Sequence, residues 1–286
     1  MSDSPSRLAA LAAVVAVGGI AAMSVGCAGL PRKSARVNFR PSAQEELAEQ
    51  RLLSQPFALA VPEDAIARVV SPTTTCTGTV IDDDLILTAH HCVVARGPKG
   101  EFMKKSLEPN ELRVELGGDY FAWGEVGVKY VVAPPCGEAG GAGDIAVLVL
   151  SRKLIGLSTM KPRTDAPPKV GEDAYPVGFG RCALSADAIH RKTREGGPVR
   201  AITGETIHMD ASVCPGDSGG PVFAKGSREI IGVVSLSAMD HDEHTKGPSL
   251  MARLDSYRMV FSHAKMLADG TASSPSELTP LECGGK

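Results

Sequence analysis

Short apolar runs separated by polar turns dominate the chain from about residue 66 onward. Runs that are rich in Val, Ile and Leu and are bounded by Gly, Asp or Pro are typical of β-strands. The first group of runs is ARVVSP, CTGTVI, LILTA, LRVEL, KYVVA and IAVLVL, and the second is DAYPVGFG, VRAITGETIHMD, GGPVFA, EIIGVVSLS and SLMARL. This pattern predicts an all-β protein of two lobes, at 61–157 and 158–268.

The apolar spacing changes after the last of these runs. In DSYRMVFSHAKMLAD, the residues Tyr257, Val260, Phe261 and Ala264 recur at helical spacing and form one apolar stripe. The sequence therefore predicts a C-terminal helix that packs through this stripe, followed by a tail over 269–286.

The first 60 residues form a segment of their own. A polar start, MSDSPSR, precedes the apolar stretch LAALAAVVAVGGIAAM and then SVGC, which ends at Cys27. Small residues directly before a cysteine resemble the bacterial lipoprotein cleavage box, so residues 1–27 are predicted to be a leader, with lipid on Cys27. An ordinary secretory signal and an uncleaved N-terminal anchor are the alternatives. Residues 28–60 are predicted to be a tether or pro-segment with a short helix capped by Ser42.

Composition and charge exclude one class of partner and favour an oxidising compartment. The 286 residues are 43% apolar and carry a net charge of −3 with no long basic run, so nucleic-acid binding has no electrostatic support. Seven cysteines are an odd number for an exported protein. If Cys27 carries lipid, six remain for three disulfides, which predicts a cell-envelope lipoprotein (periplasm or outer surface) or a secreted protein.

The stretch CPGDSGGP at 214–221 has the composition of a nucleophile loop. Gly216 and Gly219 flank Asp217 and Ser218, so the backbone can turn tightly around the serine. Such a turn can direct the N–H groups of Gly216 and Ser218 at one point, where two donors stabilise an oxyanion. A glycine-rich hairpin loop with an exposed serine is the structural alternative.

A serine nucleophile needs a positioned base, and LTAHHC offers His90 and His91. LTAHHC, GDIAVLVL and GDSGGP resemble the three motif blocks of the chymotrypsin-like (trypsin-like) serine proteases, in the order of that family. The resemblance covers about residues 66–262. It implies two six-stranded antiparallel β-barrels with a C-terminal helix, and hydrolysis of peptide bonds in a polypeptide substrate.

The resemblance implies a role for each motif. The working histidine of the family lies directly before a cysteine, which makes His91 the base and His90 a neighbour that points the other way if the stretch is extended. Asp144 would accept the Nδ1–H of His91, and Ser218 would attack the substrate carbonyl. Ser235 would support Asp144. A turn aspartate that caps the following strand is the alternative for Asp144.

The resemblance also indicates where the substrate binds. A strand edge would pair with the substrate backbone, and it consists of Ser235, Leu236 and Ser237. Ser212 would lie at the base of the main specificity pocket, with Ser237 and Ser249 on its walls. An uncharged, narrowed pocket predicts a small or medium uncharged side chain before the cleaved bond, although Asp240 and Asp242 could swing in and reverse this preference.

Activation is the first departure from the family pattern. Zymogens of the family are cut to free an N-terminus, usually IVGG, whose amine pairs with the aspartate before the serine. No such segment precedes Cys76. Asp217 would then need another cation, and Arg181 is the hypothesis for it.

The disulfide pattern is the second departure. Cys214 has no downstream cysteine nearby to match the family's usual partner, so Cys182 is favoured. The predicted pairs are therefore Cys76–Cys92, which follows the family pattern directly, Cys182–Cys214 and Cys136–Cys283. A Cys136–Cys182 bond is the alternative.

The leading hypothesis is an exported serine endopeptidase without cofactor or metal, tethered to the membrane by its N-terminal lipid or released. The alternative is a catalytically silent protease-like domain that binds peptide or protein, because an unformed oxyanion hole would leave the triad idle. A metal-dependent enzyme built on His90 and His91 is a third hypothesis. The loop DHDEH offers His241, Glu243 and His244, but its spacing matches no compact zinc pattern, and an acidic, solvated loop is favoured.

Overall fold

The described part of the chain, in a computed structural model, comprises residues 61–118, 122–182, 189–238 and 244–284. The predicted leader with Cys27 and the predicted tether lie outside these ranges, as do Asp240, Asp242 and most of the DHDEH loop. Within the described ranges, no helix has the length and apolar character needed to cross a membrane.

The first lobe is a closed barrel of six antiparallel strands. Strands β1 to β8 are Ile66–Val70, Thr75–Asp82, Leu85–Thr88, Val94–Arg96, Phe102–Ser106, Arg113–Leu116, Gly124–Val132 and Ala146–Leu150. The barrel has the order β1-β2-β3-β8-β7-β6, and its strands match the first group of apolar runs. Strands β3 and β8 are buried along their whole length, since one face lines the barrel and the other packs towards the C-terminal helix.

Strands β4 and β5 form a separate hairpin directly after the histidine motif. The apolar pattern does not predict this hairpin, because the sequence FMKKS of β5 is almost entirely exposed. The base of the hairpin is closed by the N–H of Leu107, which donates to the carbonyl oxygen of Val93 at 2.7 Å. The hairpin therefore projects from the barrel beside the predicted base.

The second lobe is an antiparallel sheet of eight short strands. Strands β9 to β16 are Asp173–Gly178, Lys192–Thr193, Gly197–Pro198, Ala201–Thr203, Thr206–Ala211, Pro221–Ala224, Ile230–Ser237 and Gly247–Arg253. Their order is β10-β9-β14-β15-β16-β13-β12, and β11 also pairs with β9. This count of eight strands differs from the six expected for this lobe. Glycine and proline interrupt the chain at 196–198, and Gly204 turns the run VRAITGETIHMD into the hairpin β12–β13.

The predicted C-terminal helix is α1, Arg258–Ala268. Val260, Ala264 and Leu267 are buried against β7 and β8 of the first barrel, whereas Phe261 is half-buried at the margin. Short 3₁₀ helices lie at Pro62–Ala65, His90–Val93, Pro109–Glu111, Asp255–Tyr257 and Pro275–Glu277. The all-β class with a C-terminal helix is confirmed.

Three disulfides join segments that are separated in sequence. They are Cys76–Cys92, Cys182–Cys214 and Cys136–Cys283. These are the predicted pairs, and the alternative bond between Cys136 and Cys182 is absent. The first disulfide joins β2 to the histidine turn, and the second borders the serine loop.

Candidate active site

The histidine motif folds into the 3₁₀ helix His90–Val93, which follows β3. The disulfide between Cys76 and Cys92 holds this turn against β2. His91 is buried, and its Nδ1 lies 2.7 Å from Oδ2 of Asp144. Its backbone N–H donates to Oδ1 of the same carboxylate at 2.9 Å. Both carboxylate oxygens therefore bind one residue, which fixes the orientation of the imidazole ring.

Asp144 is completely buried in the loop before β8, where an unpaired carboxylate would be costly. Ser235 donates its Oγ–H to Oδ2 of Asp144 at 2.5 Å, and the same Oγ accepts the N–H of Gly141 at 2.8 Å. A β-bulge in β15 at this serine turns its side chain towards the carboxylate. A carboxylate at Nδ1 favours the tautomer of His91 with its proton on Nδ1, so that Nε2 is the basic nitrogen.

His90, the neighbouring histidine, lies in different surroundings. The extended conformation assumed for it is wrong, because His90 begins a 3₁₀ turn. Its Nδ1 lies 2.7 Å from the carbonyl oxygen of Cys136, and its ring lines a cavity that does not include His91.

The histidine pair does not fit a metal site. The two rings line different cavities, and each Nδ1 already has a protein partner. Within the described residues, the cluster of His, Cys and carboxylate groups close enough to share an ion is Cys76, His91 and Cys92. Its two sulfur atoms are joined in a disulfide, so they are not thiolate ligands.

Ser218 lies in the loop between β13 and β14. The φ angles of Gly216 and Gly219 are +103° and +78°, a region that residues with a Cβ rarely adopt. A Cβ on Gly219 would lie 2.2 Å from Oγ1 of Thr88, so the loop also packs too closely for a side chain there. The two glycines therefore permit the tight turn that the sequence predicts.

Two backbone N–H groups of this loop, those of Gly216 and Ser218, have no acceptor among the described residues. The carbonyl oxygen of Pro215 accepts the N–H of Arg181 at 2.9 Å. Because the C=O and N–H of a trans peptide point in opposite directions, this bond turns the N–H of Gly216 away from Arg181. The carbonyl oxygen of Gly216 accepts the hydroxyl of Thr77 at 2.7 Å, which fixes the next peptide. Both N–H groups belong to residues that line the cleft containing the histidine.

Asp217, between these two donors, is fully buried and paired with Arg194. Nε of Arg194 lies 2.7 Å from Oδ2, and the N–H groups of Cys214 and Gly180 donate to the carboxylate at 2.8 and 2.7 Å. Burial raises the pKa of Asp217, and the guanidinium and the two N–H groups oppose this shift. The hypothesis that Arg181 is the cation is wrong, because its side chain is exposed whereas Arg194 is buried beside the carboxylate.

Two residues that organise the serine loop were not predicted from the sequence. One is Arg194, which lies in the polar stretch RKTREGG and has no pattern that links it to Asp217. The other is Thr77 of β2, whose N–H donates to the carbonyl oxygen of Ser218 at 2.8 Å and whose Oγ1 accepts the N–H of Phe179 at 3.0 Å. Thr77 thus connects the first barrel to the serine loop. In the sequence, Thr77 lies in the run CTGTVI, and nothing there distinguishes it from its neighbours.

His91 and Ser218 line one cleft, together with the strand edge at Leu236, which is 41% exposed. Among the described residues, Oγ of Ser218 makes no hydrogen bond to His91, whose Nε2 lies 3.8 Å from Sγ of Cys92. The cleft therefore brings together Ser218 and His91, with Asp144 bound to the far side of the His91 ring, and Ser218 and His91 are not hydrogen-bonded to each other.

The predicted pocket serines lie on adjacent segments of the second lobe. Ser212 and Ser249 are buried, and Oγ of Ser212 accepts the N–H of Glu195 at 3.0 Å. Oγ of Ser237 lies 2.8 Å from Oγ of Ser249, so the two predicted walls are joined by a hydrogen bond between β15 and β16. These two hydroxyls occupy space that glycines would leave open.

Two β lobes that bring a histidine, a buried aspartate and a serine loop to one cleft define the class of chymotrypsin-like serine proteases. The model of the family described as Trypsin matches residues 64–260, and the chain belongs to this family. No curated protein matches the chain.

Several solved structures share the fold but little of the sequence. Neuropsin, a serine protease expressed in the limbic system of mouse brain, is 16% identical over 72% of this chain and 97% of its own, with a TM-score of 0.54. The scabies mite inactivated protease paralogue S-I1 is 19% identical over 70% of this chain and 93% of its own, with a TM-score of 0.54. A Glu endopeptidase in complex with MPD is 20% identical over 72% of this chain and 92% of its own, with a TM-score of 0.55. At these identities the likeness shows the fold alone.

Proposed function

We propose that the chain is a serine endopeptidase that hydrolyses polypeptides through Ser218, His91 and Asp144. The observation that carries this proposal is the pair of hydrogen bonds between His91 and the buried Asp144, in the cleft that also contains Ser218. An aspartate that only capped a strand would not need to bind both the ring and the backbone of a histidine. Membership of the trypsin family supports the same reaction class.

In the proposed cycle, Nε2 of His91 takes the proton of Ser218 while Oγ attacks the carbonyl carbon of the peptide bond. The N–H groups of Gly216 and Ser218 bind the oxyanion, and each such donor typically contributes about 10²–10³ in rate. His91 returns its proton to the leaving amine when the C–N bond breaks. Water then attacks the acyl-enzyme, His91 takes a proton from it, and the proton passes to Ser218 as the acid product leaves.

Assembly of the serine loop in this proposal requires no activating cut. The cation beside Asp217 is the side chain of Arg194, which belongs to the same domain, rather than an amine that proteolysis must free. The positive φ of Gly216 and the bond from Arg181 to Pro215 support a donor arrangement that is already formed.

For specificity, we propose a small or medium uncharged side chain before the cleaved bond. Ser212 puts no charge at the base of the pocket, and the hydrogen-bonded hydroxyls of Ser237 and Ser249 narrow it. The substrate backbone would pair with the edge formed by Ser235, Leu236 and Ser237. The competing proposal is cleavage after glutamate. One structurally similar protease is named a Glu endopeptidase, and a pocket lined by hydroxyls offers hydrogen-bond donors to a carboxylate.

The proposed cellular location rests on the disulfides and on the sequence of the N-terminal segment. Three disulfides in one domain support an exported protein. Attachment to the cell envelope through a lipid on Cys27 is proposed from the sequence.

A catalytically silent peptide-binding domain is the second candidate function. The observation that favours it is the missing hydrogen bond between Ser218 and His91 within the described residues. Such bonds are often long in unliganded enzymes and shorten when substrate binds, so the endopeptidase is the better supported of the two.

Covalent labelling with a fluorophosphonate probe tests the choice. The full chain should be labelled without prior proteolysis, and Ser218→Ala should not. A folded wild-type protein that stays unlabelled, before and after mild proteolysis, would reject the endopeptidase in favour of the silent domain. Labelling that appears only after proteolysis would reject assembly through Arg194.

A further inference from the structure

The β4–β5 hairpin places a cation against the wall of the active-site cleft. The guanidinium carbon of Arg96 lies 3.5 Å from the centroid of the Phe102 ring, across the hairpin. A guanidinium stacked on an aromatic face is held in place with its N–H edges directed outward. Both residues line the cleft that contains His91 and Ser218.

The aromatic ring also connects this cation to the proposed base. The rings of Phe102 and His91 meet edge to face, with their centroids 5.8 Å apart. Arg96, Phe102 and His91 therefore form one consecutive stack along the cleft wall. His91 must reach the leaving amine in the proposed cycle. A group stacked beyond His91 on the same cleft wall therefore lies on the leaving-group side.

No carboxylate balances the charge of Arg96. Its hydrogen bond goes to the carbonyl oxygen of Gly100 at 3.4 Å, and no Asp or Glu among the described residues lies within ion-pair distance of it. The residues that line the cleft include no acidic side chain. Partial burial lowers the pKa of the Arg96 guanidinium.

The rest of the hairpin adds to the positive potential. Lys99, Lys104 and Lys105 lie on it, against the single acidic residue Glu101. The carboxylate of Glu101 is directed to the hairpin turn, where it accepts the N–H of Lys99 at 2.9 Å. Arg96 is thus the member of this group that reaches the cleft, and its planar donors match a carboxylate.

We propose that Arg96 and Phe102 form a subsite that binds an acidic side chain of the polypeptide, at the first or second residue after the cleaved bond. This inference rests on the proposed endopeptidase function. The subsite would give the enzyme a preference for acidic residues after the cleaved bond. This preference is separate from the proposed preference for an uncharged residue before the bond. A substrate carboxylate would supply the anion that Arg96 lacks.

The first test measures binding without turnover. Two alanine-based heptapeptides are titrated against Ser218→Ala and against Ser218→Ala/Arg96→Gln. One peptide has adjacent Asp residues at positions five and six, and the other has Asn at both positions. The Asp peptide should bind Ser218→Ala about tenfold more tightly than the Asn peptide, which corresponds to one charge-assisted contact of about 1.4 kcal/mol. The ratio should fall to about one in the double variant and should shrink in 0.5 M salt. Equal affinities in Ser218→Ala, or a ratio that survives Arg96→Gln, would overturn the subsite.

The second test uses the active chain. A mixed peptide library is digested by wild type, Arg96→Gln and the control Lys99→Gln, which removes a charge from the same hairpin outside the cleft. Wild type and the control should enrich Asp and Glu after the cleaved bond, and Arg96→Gln should lose that enrichment. Cleavage without such enrichment in wild type would reject the subsite while leaving the endopeptidase intact. Absence of fluorophosphonate labelling before and after mild proteolysis would reject the endopeptidase, and the binding ratio would still decide whether Arg96 binds an acidic side chain.

Discussion

Arg194 and Asp217 form an ion pair inside the second lobe, with side chains that are 2% and 0% exposed. The carboxylate also accepts two backbone N–H groups, so it is satisfied entirely within the domain. Because Asp217 lies between Gly216 and Ser218, the pair holds the two proposed oxyanion donors in position. We therefore expect the stability of the domain and the proposed catalytic assembly to depend on the same contact.

Replacing Arg194 by Met should destabilise the domain by about 3–5 kcal/mol, because it leaves a buried carboxylate without its cation. The loss should appear as a lower urea midpoint, and fluorophosphonate labelling of the remaining folded protein should slow. Arg194→Lys keeps the charge but has a different geometry, so its stability should fall between those of wild type and the Met variant.

The matched control is Arg181→Ala. Arg181 contacts the same loop through its backbone N–H, which the substitution leaves in place, and its side chain is exposed. It should change the free energy of unfolding by less than about 1 kcal/mol, as is usual for exposed charges. Equal effects of the Arg181 and Arg194 variants would show that the buried pair does not hold the loop.

Asp144→Asn should reduce the labelling rate by about 10⁴-fold, because an amide at this position favours the wrong tautomer of His91. The fold should persist, since the amide keeps the size of the carboxyl group. Ser235→Ala removes one hydrogen bond to the carboxylate and should cost roughly tenfold. Labelling rates across probe concentrations measure both effects. An unchanged rate in Asp144→Asn would reduce Asp144 to a strand-capping residue.

Most of the strands could be predicted because their apolar runs are short and sharply bounded. The runs LILTA and IAVLVL contain β3 and β8, whose side chains are buried throughout. The hairpin β4–β5 escaped prediction because FMKKS is exposed and carries two adjacent lysines, so burial does not shape its pattern. Strands of two residues such as β10 are too short to leave any pattern.

The site residues that lie within short sequence motifs could be predicted. Those that act only through contacts with residues distant in sequence could not. His91, Asp144 and Ser218 each lie in a short motif of their own. Arg194 reaches Asp217 from 23 residues away, through folding of the second lobe. Thr77 reaches the Gly216 carbonyl across 139 residues. Neither partner is marked by its neighbours in sequence, and only the packed structure identifies them.

The double variant Ser237→Gly/Ser249→Gly should open the specificity pocket. It removes the two hydroxyls that are bonded 2.8 Å apart across β15 and β16. The kcat/KM for a peptide with Phe before the cleaved bond should rise by roughly tenfold relative to one with Ala, as is typical when a pocket gains the room of a few methylene groups. The two glycines should also cost roughly 1–2 kcal/mol of stability.

The comparison that checks the pocket is a peptide panel that varies only the residue before the cleaved bond. Cleavage after Arg should stay slow in wild type and in the double variant, since Ser212 provides no negative charge in either. Fast cleavage after Arg by wild type, or a panel unchanged by the double variant, would place the specificity pocket elsewhere.

Reduction, rather than chelation, should inactivate the protein. The cysteines at 76 and 92 are 16 residues apart, and a disulfide closing such a loop contributes about 3 kcal/mol. Cys76→Ala/Cys92→Ala should therefore lower the melting temperature and also slow labelling, because this disulfide holds the turn that carries His91. Cys136→Ala/Cys283→Ala is the control: it should lower the melting temperature while the folded fraction labels at the wild-type rate.

EDTA should leave labelling unchanged, since the sulfur atoms beside His91 are joined to each other. Labelling that EDTA abolishes and zinc restores would contradict both the disulfide and the serine mechanism.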